Sequence, residues 1–255
     1  MKLKLLFGLA ILILLFADSR KNDIPTHDRG YPADLANAWM QLHIKLTRTT
    51  AGYNSLVSDR SFGYAGITLY ESIFPGEPSG CSLLAQIGGT PVPTGKSHDQ
   101  YYWPASLNAA MALLTKQFFE STSAANMVTI DSLEAAYKAK FQNEADANKI
   151  TNAENYGRQV ASAIFEWSKT DGGHEAYKHI VDPGYTPPGD GTGHDGNWIP
   201  TPLAFGPPVY PHWGDNRSFI ANSAALTQPG PPIAYSENVK SPFYRMVNDL
   251  YTTSL

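Results

Sequence analysis

Cysteine is almost absent from this sequence: Cys81 is the only one in 255 residues. No intrachain disulfide can form, so the fold must rest on a packed core, which a chain of this length can supply. Nothing near Cys81 would lower a thiol pKa, and we read it as a small loop residue rather than a nucleophile. Basic residues are also sparse. The 19 Lys and Arg against 23 Asp and Glu give a net charge of −4 and a pI near 5.9. They are scattered singly, which excludes the basic stripe that a nucleic-acid partner requires. Long apolar runs are lacking: the longest, Leu5 to Phe16, has twelve residues, whereas a spanning helix needs about twenty. Missing too are apolar–polar alternation of any length and any repeat period, which leaves no signal for a half-buried sheet or a solenoid.

That short apolar run follows Lys2 and Lys4 and is followed by small residues at Ala17 and Ser19. The pattern is a secretory signal peptide over residues 1–19, with the mature chain at 20–255. The expected location is therefore secreted or periplasmic. No stable membrane anchor is expected after cleavage, and no cysteine follows the run to take a lipid.

Helical spacing dominates the first two thirds of the mature chain. Leu35, Trp39, Leu42 and Leu46 mark a first amphipathic helix over Ala33 to Arg48. A second is predicted from Asp59 to Phe74, capped by Ser58 and stopped at Pro75-Gly76, with Phe62, Ala65, Leu69 and Ile73 on its inner face. Gly63 and Gly66 lower its propensity and suggest close packing. A Gly/Pro/Ser-rich loop leads to a third helix, Ala105 to Glu120, entered through Pro104 and carrying Ala109, Ala110, Leu113, Leu114 and Phe118. The fourth, Ala124 to Asn143, places Met127, Ile130, Leu133, Tyr137 and Phe141 on one face. The fifth opens at a capping-box pattern, Thr151 to Glu154, and buries Tyr156, Val160, Ile164 and Trp167. Near the C-terminus Ser241-Pro242 reads as a helix start, with Phe243, Met246 or Val247, and Leu250 forming a stripe. The predicted fold class is all-α, a helical bundle wrapped by a long irregular segment.

That irregular segment runs from Asp182 to Phe219. Between Asp171 and Pro232 lie eleven of the nineteen prolines and ten of the twenty-one glycines, too many for either ladder to propagate. Yet Tyr185, Trp198, Ile199, Phe205, Val209, Tyr210, Trp213 and Phe219 are large apolar side chains that a disordered linker would lack. We expect an ordered wrap, anchored by its aromatics on the bundle.

The chemistry-bearing residues of this region match no motif. His174, His179, His194 and His212 are five, fifteen and eighteen residues apart, which is not zinc spacing. Asp190, Asp195 and Asn197 suggest an oxygen-lined calcium loop, but Thr192 interrupts it and the distal Glu is missing. Thr192-Gly193-His194 offers a hydroxyl, an amide and an imidazole. An oxyanion site would also need several fixed cations, and Lys178 and Arg217 each stand alone, so we read a glycine-rich turn. Asp171, Glu175 and Glu71 have no partner that spacing identifies and default to solvated charge. The loop aromatics are explained by packing, although a sugar-binding face is the other use for them.

Several stretches together resemble the N-terminal half of bacterial vanadium-dependent haloperoxidases and their relatives in the type 2 phosphatidic acid phosphatase (PAP2) superfamily. They are SDRSFGYAGITLYESIFPG, YGRQVASAIFEWSKTDGG, DGNWIPTPLAFGPPVYPHWGDNRSF and SPFYRMVNDLY. The pairing of NWIPTP with PHWG is the specific part. The resemblance implies halide oxidation by hydrogen peroxide at a histidine-bound vanadate, or phosphomonoester hydrolysis through a phosphohistidine. It also implies an anion site in the other half of the family's fold: Lys with Arg-Pro, then Ser-Gly-His, then Arg followed by His. None of these motifs occurs in the 255 residues, and Ser79-Gly80-Cys81 and Thr192-Gly193-His194 are lookalikes without the flanking pieces. No catalytic, cofactor-binding or metal residue is therefore assigned, and vanadate is expected only in a full-length peroxidase relative. The expected partner is a C-terminal catalytic half or a second chain that complements this one. The alternative reading is a non-catalytic envelope module that binds through the aromatic loop 182–219.

Overall fold

The computed structural model describes residues 31–77, 80–93, 98–189, 191, 197–220 and 229–254. The signal-peptide reading of residues 1–19, Ser79, Asp190 and Thr192 to Asp195 lie outside the described residues. Seven α-helices are present among the described residues, with no strand and one isolated bridge, Val181 to Val209. They are α1 Asp34–Thr49, α2 Ser55–Glu71, α3 Leu83–Gln86, α4 Trp103–Phe118, α5 Ala124–Phe141, α6 Ala147–Ser168 and α7 Pro242–Thr253. None of them is long and apolar enough to cross a membrane.

α4 is the axis of the bundle, packed against α1, α2, α5 and α6. The sequence marks it as one-sided, but thirteen of its sixteen residues are buried, so it is enclosed on every side. Its alanines at 105, 109, 110 and 112 make that possible by letting neighbours close in. The nearest approach is to α6, where a Cβ on Gly157 would lie 2.1 Å from the Ser106 carbonyl oxygen. Only glycine permits that crossing. Each large aliphatic side chain enclosed here, such as Leu114 and Ile164, contributes about 1.5–3 kcal/mol of burial.

The start signals needed two corrections. α2 begins at Ser55, not Asp59, because Asn54 accepts the Val57 amide hydrogen at 3.2 Å and outcompetes Ser58, whose hydroxyl turns back to the Tyr53 carbonyl. α6 starts four residues before the Thr151 pattern: the Asp146 carboxylate takes the Asn148 and Lys149 amides, and the Thr151 hydroxyl bonds the Ala147 carbonyl. The Ser241 cap of α7 does form, with Tyr244 N donating at 3.0 Å.

The inner face of α2 differs from the expected stripe. Val57, Ser61, Tyr64, Ala65, Ile67, Thr68 and Glu71 are buried, while Ile73 lies beyond the helix and is exposed. The apolar pattern misleads because this face carries polar groups that pair across the core. Of the two α2 glycines, Gly63 receives the Phe219 ring, whereas Gly66 faces open space. The close packing expected of both belongs to one.

His43, on α1, is fully buried between the Phe62 and Phe119 rings, with centroids 4.7 and 4.9 Å away. Ser61 donates its hydroxyl hydrogen to the Ser58 carbonyl at 2.7 Å, so His43 Nε2 must donate to Ser61 Oγ at 2.9 Å. Nδ1 then carries a lone pair with no partner. Burial drives its pKa down to about 4.

Candidate functional site

At one end of the bundle the start of α2, the end of α6 and the loop are tied by a polar cluster. Arg60 forks onto Asp171, with Nε to Oδ2 at 2.7 Å and Nη2 to Oδ1 at 3.0 Å, and Nη2 also reaches the Ser168 carbonyl at 2.6 Å. Tyr64 donates its hydroxyl to Asp171 Oδ2 at 2.8 Å, and the Gly173 amide donates to Oδ1 at 2.7 Å. Burial first, then the Asp171 charge, raises the Tyr64 pKa, so the phenol stays a donor. Arg217 comes from the loop. It donates to Tyr64 at 3.2 Å, to the Trp167 carbonyl at 2.9 Å and to Thr170 Oγ1 at 2.7 Å, and its guanidinium lies 4.2 Å over the Trp167 ring. Asp171 is thus buried and saturated with donors, a correction to its reading as solvated charge. A site of this kind favours arginine because the fork matches the carboxylate.

Glu71 needs the same correction. It is fully buried at the other end of α2 and accepts from Ser82 Oγ at 3.0 Å and from the Leu84 amide at 2.7 Å, fixing the start of α3. Neither carboxylate could be placed from spacing, because the partners lie 111 and 11–13 residues away.

Beside the Arg60–Asp171 cluster, the loop closes a cleft of about 350 Å³ that gathers His174, His179, His212 and Asp182. His212 lies 3.2 Å from Asp182 Oδ2 and 3.6 Å from Asp215 Oδ2. Among the described residues no Ser, Thr, Cys, Lys or Arg lines the cleft to attack a substrate or hold an anion. Among the described residues no group of His, Cys, Asp and Glu could hold a metal ion. A second cleft, about 1020 Å³, lies at the opposite end of the bundle between the starts of α1, α4 and α6 and the end of α5.

The loop packs less of itself than its composition promised. Tyr210 is buried and Trp213 and Phe219 are half-buried, whereas Trp198, Phe205 and Val209 are exposed. Phe219 meets Tyr64 at 4.9 Å and fills the notch at Gly63.

Could these residues hold an oxyanion such as vanadate? Every described cation near the loop is already directed at protein acceptors. Lys178 bridges Glu120 at 2.9 Å and Glu175 at 2.8 Å, and those hydrogen bonds, Glu175 first, raise its pKa. Arg60 is spent on Asp171, and Arg217 on Tyr64, Thr170 and Trp167. Lys178 and Arg217 are therefore not alone, as their spacing suggested, and they do not converge on an open position. The residues present do not fit the group.

The all-α bundle with its loops is similar in fold to half of a solved haloperoxidase structure. The solved structure of a bacterial vanadium-dependent iodoperoxidase is similar to this chain with a TM-score of 0.67 at 24% sequence identity. The match covers 86% of this chain and 50% of that one, so the chain spans about half the length of its structural relative. It agrees with the reading of the motifs as a haloperoxidase-like N-terminal half. No protein-family model matches the sequence, and no curated protein matches it.

Proposed function

We propose that this chain forms the supporting helical half of a secreted haloperoxidase-like or acid-phosphatase-like protein. It builds the scaffold and leaves the anion chemistry to residues outside the 255. The observation that carries this reading is the likeness in fold to half of the vanadium iodoperoxidase chain. The pairing of Arg60 and Lys178 with carboxylates, and the use of the Arg217 donors on the Tyr64, Thr170 and Trp167 oxygens, supports it from a second side, since an anion-binding role would need cations with donors left to aim at the anion. In this reading the intact protein oxidises halide with hydrogen peroxide at a bound vanadate, or hydrolyses a phosphomonoester, and this chain alone does neither. Export through residues 1–19 belongs to the same proposal. The test is turnover by the purified 255-residue protein loaded with vanadate and given bromide or iodide with peroxide, and separately by the protein given p-nitrophenyl phosphate. Rates equal to a no-protein control are expected; either activity above it overturns the reading.

A further inference from the structure

The cleft of about 1020 Å³ at the far end of the bundle plays no part in the reading above. The described residues that line it run from Tyr31 to Lys149, in the bundle rather than in the loop. Its walls are aromatic: Tyr31, Tyr101, Tyr102, Trp103, Tyr137 and Phe141. Trp103 and Phe141 are buried, Tyr101, Tyr102 and Tyr137 are half-buried, and Tyr31 stands exposed. The rings hold one another in place. Tyr102 meets Tyr31 at 5.6 Å with the planes 88° apart, and Phe141 at 5.3 Å and 66°. Tyr101 lies 5.0 Å from Trp103 and 5.7 Å from Tyr156. The Trp103 indole is seated on Gly76, where a Cβ would come within 2.7 Å of the ring. Rings set at steep angles by such contacts make a preformed box rather than a flat platform.

The charge around the box is negative. Four carboxylates, Asp34, Glu77, Glu144 and Asp146, line the cleft against two ammonium groups, Lys140 and Lys149. Two of the four are used by the fold: Glu144 accepts the Tyr102 hydroxyl and lies 3.8 Å from Lys140, and Asp146 caps α6. Burial first, then the Glu144 bond, raises the Tyr102 pKa, so the phenol stays a donor. Asp34 and Glu77 are exposed at the mouth and form no ion pair among the described residues.

That combination selects a class of ligand. Aromatic faces carry the negative lobe of the ring quadrupole and attract cations, and carboxylates at the mouth act in the same sense. Anions are disfavoured on both counts. A saccharide needs neutral amides and hydroxyls to read its own hydroxyls, and beyond the tyrosines no described Ser, Thr, Asn, Gln or His lines the cleft. The volume lies at the upper end of the range for small-molecule sites, about 300–1000 Å³, so a bare ammonium ion would not fill it.

We propose that the cleft binds an organic cation, an alkylated ammonium carried on an apolar body, with Tyr31, Tyr102 and Phe141 around the charged head and Asp34 and Glu77 neutralising it from the mouth. The site stands independently of the supporting-half reading.

Calorimetric titration of the 255-residue protein tests it, with hexyltrimethylammonium as the probe and 1-hexanol, hexanoate and maltotriose as controls. The cation should bind with a Kd below about 1 mM, and about tenfold or more tighter than 1-hexanol. D34N/E77Q should weaken it by about fivefold and leave 1-hexanol unchanged. Tyr31→Ala, at an exposed position, should weaken it by about threefold with the circular dichroism spectrum unaltered. Equal binding of 1-hexanol and the cation would mean an apolar groove without charge selection and overturns the proposal. So does tighter binding of hexanoate or of maltotriose. Cation binding that neither variant changes would place the ligand elsewhere on the protein and overturns it as well. Absence of binding by all four compounds does the same.

Discussion

The bundle from α1 to α6 and the segment after Asp171 obey different rules of burial. In the first, aliphatic and aromatic side chains enclose α4, and among the described residues the few large apolar groups left open are Tyr70, Ile73 and Val128. In the second, fourteen large apolar residues among those described are exposed, from Val181 to Tyr251. The bundle is held by a continuous core. The segment is held at points: the Arg60–Asp171–Arg217 cluster, Tyr210, Phe219 and the Val181–Val209 bridge. A surface so rich in apolar groups beside a finished core has the character of an interaction surface.

The largest expected effect comes from cutting the strongest of those points. Asp171→Ala leaves Arg60 buried without its carboxylate, which typically costs about 3–5 kcal/mol. Chemical denaturation should show that loss, and limited proteolysis should show cleavage between 182 and 219 before the bundle opens. Equal loss of stability in Asp171→Ala and in a variant replacing both partners with apolar residues would mean that the pair itself, rather than an orphaned charge, is what matters.

Acid tests the bundle in turn. His43 is neutral in the fold, with its pKa lowered to about 4 from the ordinary 6.5. The unfolded chain therefore takes up the proton first. Stability is fully present above about pH 6.5 and is lost as pH falls toward 4, by about 3 kcal/mol from this group. Urea titrations at pH 7 and pH 4.5 should show a smaller drop in His43→Phe than in the parent.

Gly157→Ala probes the tightest crossing. With the Ser106 carbonyl in the way, α4 and α6 must move apart, at about 1–3 kcal/mol. A melting temperature unchanged by this substitution would show that the two helices can slide without cost. At the small end, Trp198→Ser should shift stability by less than about 0.5 kcal/mol, because that ring is already half open to water. A larger loss would place Trp198 among the anchors and erase part of the contrast between the two regions.

The sequence by itself determined the five long helices between residues 34 and 168, the all-α class and the irregular run after Asp171, while the short α3, Leu83–Gln86, lies in a stretch it marked as loop. Periodic apolar residues and clustered Pro and Gly act locally, and local effects are legible one stretch at a time. It misplaced the starts of α2 and α6 by four residues each, because several polar residues compete for one cap and only the folded backbone picks the winner. Only the tertiary structure decided that Asp171 and Glu71 are buried, that Arg60 and Tyr64 meet Arg217, and that His43 lies enclosed with a bare nitrogen. Those partners come from distant parts of the chain, and burial of a charge depends on what closes over it. The same holds for the absence of an open anion site among the described residues: Lys178 and Arg217 look available in sequence, and in space their donors are taken up by protein acceptors.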